Sequence, residues 1–193
     1  MRPTQYATTA DGLSIAYQDL GGSGPDLVWV TGTASHVELL WALPGWAHTL
    51  RRLSSFARVV WFDKRGAGLS DRTLGSGSLE ERMEDIRAVI DAAGMASATL
   101  IGLSESGPIC SVFAAAFPER VERLILVGTF AHNPGLMATA SVFEDLWGQG
   151  TLLELIWAQG MKDKELLGRM ERAMGTPRKI GRASCRERVS YHV

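Results

Sequence analysis

The chain has 193 residues, 46% of them apolar and 21% charged, with a formal net charge of −1. That is the length and balance of one globular domain, and it offers nucleic acid or an anionic membrane no excess of positive charge to be drawn to. Its two cysteines, Cys110 and Cys185, have neither metal-ligand spacing nor a disulfide framework, and no motif of the chain implies a metal or an organic cofactor. The N-terminus opens on no apolar signal segment and no apolar run is long enough to span a bilayer, which gives a cytoplasmic expectation.

In chain order, Ser14–Asp19 alternates as an exposed strand does, after a turn at Asp11-Gly12. Gly21–Pro25 is a loop. Asp26–Thr31 and Ala57–Asp63 are apolar runs too short for helices and read as buried strands. Between them a helix is expected from Gly45 onward. Leu79, Met83, Ile86, Val89 and Ile90 repeat with a helical period, so residues 79–93 form a helix that Gly94 ends. Ala98–Leu103 is a strand, Pro108–Phe117 a helix and Val121–Gly128 a strand. Buried strands alternating with helices mean an α/β fold, a mostly parallel sheet covered on both faces. Function then belongs at the carboxyl ends of the strands, where four loops converge: residues 32–36, 64–72, the turn around Ser104, and 129–134.

Of these, Gly102-Leu103-Ser104-Glu105-Ser106 is the most specific. It joins a strand to a helix with a serine at the apex. That is a nucleophile elbow, Gly-x-Ser-x-Gly, with Ser106 in place of the second glycine. Such a turn strains the serine backbone and lifts its Oγ above the sheet. The positions two before and two after must be small, because strand and helix approach closely there. Gly102 meets this fully. Ser106 should crowd the turn mildly.

Three motifs in this order, Thr31-Gly32-Thr33, the run Asp63-Lys64-Arg65-Gly66-Ala67-Gly68-Leu69-Ser70 and the elbow, resemble the α/β-hydrolase superfamily. The resemblance covers about residues 14–129. Ser35–Trp41, Asp63–Arg72, Ser104–Pro108 and Phe117–Arg120 more narrowly resemble bacterial hydrolase domains often joined to adenylate or guanylate cyclases or other regulatory modules. The resemblance implies Ser104 as nucleophile and the backbone N–H groups of Glu105 and Thr33 as an oxyanion hole. It implies a small-molecule carbonyl substrate, an esterase- or lactonase-like reaction, and an acid and a histidine that follow later in the chain. Where many relatives have His-Gly, this chain has Thr31-Gly32.

Other residues admit plainer roles. Asp63, Arg65 and Asp71 are expected to pair with one another and hold their glycine-bearing loop. His36 lines the pocket or caps a helix. His48 lies on a solvated helix face, and His132 precedes a helical cap. Trp147, Leu152, Leu153, Leu155, Ile156 and Trp157 form either an apolar pocket roof or the core of that cap. Cys110 is a small buried thiol.

The segment Ile180–Val189 reads, residue for residue, as one translated frame of a common sequencing-library adaptor. It is basic and has no apolar period. The expected organisation is therefore the N-terminal part of a hydrolase core over 1–134, the start of a helical cap over 135–177, and a non-native tail over 178–193. On that reading the triad acid and histidine lie outside the chain, and the 193-residue polypeptide is inactive by itself. The alternative is a sensor, in which the same pocket binds a ligand and controls an attached signalling module such as a nucleotide cyclase.

Overall fold

The computed structural model describes residues 2–73, 77–131, 145–156 and 162–175. Pro134, His132, His192 and the suspected tail 178–193 lie outside them. Among the described residues six strands form one sheet: β1 (Gln5–Thr8), β2 (Ser14–Asp19), β3 (Asp26–Val30), β4 (Arg58–Phe62), β5 (Ala98–Leu103) and β6 (Val121–Val127). Their order across the sheet is β1-β2-β4-β3-β5-β6. The pairs β4·β3, β3·β5 and β5·β6 are parallel, while β1·β2 and β2·β4 are antiparallel. The helices are α1 (Pro44–Ser54), α2 (Leu79–Ala92), α3 (Ser106–Ala116), α4 (Thr151–Ile156) and α5 (Lys164–Met174). No helix among the described residues is long and apolar enough to cross a membrane.

The short apolar runs are strands because each feeds two cores at once. Along β3 and β4 successive side chains alternate between faces. Leu27, Trp29, Val59 and Trp61 join one cluster with Leu50 of α1 and with Leu153, Leu167 and Met170 of α4 and α5. Val28, Val30, Val60 and Phe62 join the other, with Ile86, Val89 and Ile90 of α2 and Ile109 and Phe113 of α3. Both faces of β3 and β4 are thus covered, whereas β6 is mostly exposed.

α2 starts at a reciprocal cap. Ser78 Oγ accepts from the Glu81 N–H at 3.2 Å, and Glu81 Oε2 accepts from the Ser78 N–H at 2.6 Å. α3 begins at Ser106, two residues before the expected Pro108. Proline in a first turn forfeits no helical hydrogen bond, so it need not mark the start. β1 was not expected. It contributes one buried residue, Ala7, and owes its form to pairing with β2.

α4 and α5 are joined by a buried carboxylate. Glu171, fully buried, accepts from the N–H groups of Gly148 (2.7 Å), Gly150 (2.9 Å) and Leu153 (2.9 Å). The C-terminus of α5 lands on the loop after β4: the Gly68 N–H donates to Met174 O at 3.2 Å, and Arg72 donates to Ala173 O at 3.2 Å. An arginine at helix-terminal carbonyls also complements the helix dipole.

Candidate active site

Ser104 has φ +54°, the only described residue other than glycine with a positive φ. A left-handed serine stores strain that must be held from both sides. Its N–H donates to Val127 O of β6 at 2.9 Å, and its C=O accepts from the Gly107 N–H at 3.2 Å. Ser104 is partly buried, and no histidine or carboxylate among the described residues bonds to its hydroxyl.

The space around the turn explains its small residues. A Cβ on Gly102 would lie 2.9 Å from Gly107 Cα and 3.1 Å from Cys110 Sγ. A Cβ on Gly107 would lie 1.9 Å from Thr129 Oγ1. The strand–helix approach is therefore between Gly102 and Gly107, one residue beyond the position the motif singles out. Ser106 causes no crowding there. It is fully buried, its hydroxyl donates to the Thr31 carbonyl, and it accepts from Lys64 Nζ at 3.1 Å.

The loop after β3 passes directly beside Ser104. A Cβ on Gly32 would lie 3.3 Å from Ser104 Cβ and 4.0 Å from Ser104 Oγ. Thr33, the next residue, is partly buried. The two segments expected to supply oxyanion donors, Thr33 and Glu105, thus come from adjacent parallel strands in register, Val30 opposite Gly102.

The Glu105 carboxylate is buried and bonded to Lys64 Nζ and, at 3.1 Å, to Arg82 Nη2. Burial alone would push its pKa up, but Lys64 and Arg82 outweigh that and hold it well below the usual carboxylate range. The side chain is thereby a fixed anion, spent on two cations. Cys110 packs behind the same turn, and burial pushes its thiol up to about 12, so it is not a nucleophile at neutral pH.

The loop charges do not pair with one another as expected. Asp63 Oδ2 accepts from the Val37 N–H (3.1 Å) and the Leu69 N–H (2.9 Å), joining the loops after β3 and β4. Arg65 binds Asp85 of α2 at 2.8 Å and Asp11 at 2.9 Å. Asp71 accepts from the Ser14 N–H at 2.8 Å. Each charge ties the loop to a different neighbour.

His36 is 8% exposed, and its Nδ1 accepts from the N–H groups of Glu38 and Leu39, both at 3.3 Å. Burial lowers its pKa, which suits a neutral ring that accepts. Through these bonds it is tied to the start of the 3-10 turn at Leu39–Ala42. Trp147 packs on the cluster that holds Leu153, Leu167 and Met170. Leu152 and Leu153 are buried and Leu155 is exposed, while the Ile156 side chain and Trp157 lie outside the described residues. His48 is exposed on α1. Sequence reasoning missed Lys64, Arg82 and Glu171. Arg82 and Glu171 had a signal, because each falls on the apolar stripe of its helix.

Residues 31–181, well over half of the chain, match the family described as the alpha/beta hydrolase fold. The chain belongs to the α/β-hydrolase family. The chain is 31% identical over 139 residues to a 2-hydroxy-6-oxononadienedioate/2-hydroxy-6-oxononatrienedioate hydrolase of Paraburkholderia phymatum, covering 68% of its own length and 46% of the relative's. It is 28% identical to a bifunctional esterase/perhydrolase of Acinetobacter calcoaceticus, covering 75% and 53%. A crystal structure of a hydrolase from Pseudomonas aeruginosa superposes with TM-score 0.70 at 26% identity, over 94% of this chain and 71% of that one. The chain spans about half the length of the curated relatives it matches.

Proposed function

We propose that the whole protein is a serine hydrolase acting on a small or medium-sized ester- or lactone-like carbonyl compound, with Ser104 as nucleophile. The observation that carries this reading is the left-handed, partly buried Ser104 at the β5–α3 junction, beside Gly32. Backbone strain of this kind persists only where the surrounding structure enforces it.

In the proposed reaction Ser104 Oγ attacks the carbonyl carbon and passes its proton to a histidine outside the described residues, oriented by an acid that is also outside them. The carbonyl oxygen becomes an oxyanion held by the N–H groups of Glu105 and Thr33. Collapse of the tetrahedral intermediate breaks the bond to the leaving oxygen, which takes the proton from the histidinium. Water then repeats the sequence on the acyl-enzyme, releasing the acid and free Ser104. Because the Glu105 carboxylate is spent on Lys64 and Arg82, its charge does not oppose the oxyanion. A glutamate free to turn toward the site would do so.

Hydrolysis of p-nitrophenyl butyrate tests the reading. The whole protein should turn it over with a pre-steady-state burst, and Ser104→Ala should abolish both burst and turnover. Undiminished turnover in that variant would overturn the assignment. The 193-residue chain should show at most weak activity, since without a base only binding and oxyanion stabilisation remain.

A further inference from the structure

We infer that Ser106, oriented by Lys64, is a positioning residue that holds the Thr31–Thr33 loop against the elbow, so that both oxyanion donors belong to one rigid unit. This rests on the serine-hydrolase reading above. The two donors come from separate segments, and the one in the first loop follows a glycine. A side chain on Gly32 would crowd Ser104, its Cβ lying 3.3 Å from Ser104 Cβ. The same glycine gives the loop unusual backbone freedom. Something outside the loop must remove that freedom if the Thr33 N–H is to be preorganised, and preorganisation is what gives an oxyanion hole its effect.

Ser106 is placed to do this. Its hydroxyl donates to the Thr31 carbonyl. A peptide unit is planar, so fixing that carbonyl fixes the Thr31–Gly32 plane, the anchor on one side of Gly32 from which the peptide carrying the Thr33 N–H extends. A hydroxyl has one proton and can also accept. Lys64 Nζ donates to Ser106 Oγ at 3.1 Å, which leaves the Ser106 proton to be given to Thr31. The same ammonium binds Glu105, the residue bearing the other proposed donor, and Arg82 of α2 binds that carboxylate from another side. Thr31, Lys64, Arg82, Glu105 and Ser106 are all at least nine-tenths buried, so solvent does not compete for these bonds. The serine standing where the motif expects glycine is thus a bridge between elbow and loop.

The test uses the whole protein and three variants, Ser106→Ala, Ser106→Gly and Lys64→Met. Each is measured for kcat and KM on p-nitrophenyl butyrate, for inhibition by a trifluoromethyl ketone, whose adduct with Ser104 Oγ carries a hemiketal oxyanion, and for thermal midpoint. Both Ser106 variants should lower kcat by at least about fivefold and weaken the ketone by a similar factor. That is less than the roughly 10²–10³ expected on deleting a donor outright. KM should stay within about twofold. Lys64→Met should move the same two quantities in the same direction. Glycine is the motif's own residue here, so Ser106→Gly keeps the test open if the alanine variant folds poorly. A change below twofold in both kcat and ketone affinity overturns the inference, as does a loss seen only in thermal midpoint or KM. If Ser104→Ala is as active as the wild type, the serine-hydrolase reading itself has failed.

Discussion

Asp63→Asn should make the protein more stable at alkaline pH, although it neutralises a buried, hydrogen-bonded carboxylate. Asp63 is fully buried, and burial raises its carboxyl from 3.8 to about 6 even though the Leu69 N–H, the Ser35 hydroxyl, the Val37 N–H and Arg72 all pull it down. A folded-state pKa above the unfolded one means stability fully present below about pH 4 and lost as the pH rises through about 6. The gap is about two pH units at 1.36 kcal/mol each, so about 3 kcal/mol is lost by pH 8. Both backbone donors land on the same oxygen, Oδ2. An asparagine can offer its carbonyl there and keep both bonds. Its amide group would occupy the place of Oδ1, which makes no hydrogen bond of good geometry, with the Ser35 hydroxyl nearby as an acceptor. An imperfectly bonded buried amide costs about 1–2 kcal/mol at either pH. The variant should therefore be about 1–2 kcal/mol more stable than the wild type at pH 8 and about as much less stable at pH 4. Urea titrations of the whole protein, followed by tryptophan fluorescence at the two pH values, measure this. A stability difference between variant and wild type that is the same at pH 4 and pH 8 would refute the reasoning.

Three further outcomes follow from packing. Gly107→Ala should destabilise by about 2–3 kcal/mol, because Thr129 is too short to swing away from the added methyl, and Thr129→Gly in the same chain should restore most of the loss in a thermal melt. Glu171→Ala should cost about 3 kcal/mol by orphaning three backbone donors, and limited proteolysis should then cut within residues 145–156 before the sheet is attacked. Ile125, Leu126 and Val127 are 43%, 46% and 44% exposed on β6, which pairs among the described residues only with β5, so the 193-residue chain alone should scatter light and bind hydrophobic dye, and Leu126→Lys should reduce both.

What the sequence disclosed depended on how local its cause was. β2 and β5 have the expected bounds because each carries its own apolar pattern, and α2 follows its 3.6-residue period from Leu79. β1 carries almost no such pattern, since three of its four residues are exposed, and only its pairing with β2 makes it a strand. The elbow was legible because strand, glycine and serine are consecutive. Its supporting shell was not, because Lys64 and Glu105 lie 41 residues apart and Thr31 and Ser106 lie 75 apart. The partners of Arg65 were hidden for the same reason, as Asp11 and Asp85 come from other elements. Arg82 and Glu171 could have been found. A charged residue on the buried stripe of an amphipathic helix needs a buried partner, and that need is visible before the partner is.

Labelling of Ser104 tests the central claim most directly. The whole protein, treated with a fluorophosphonate, should gain the mass of one adduct, and peptide mapping should place it on Ser104 alone. Ser106→Ala should take up the same adduct more slowly, and Ser104→Ala should take up none. An adduct on another residue, or equal labelling of wild type and Ser104→Ala, would contradict Ser104 as the nucleophile.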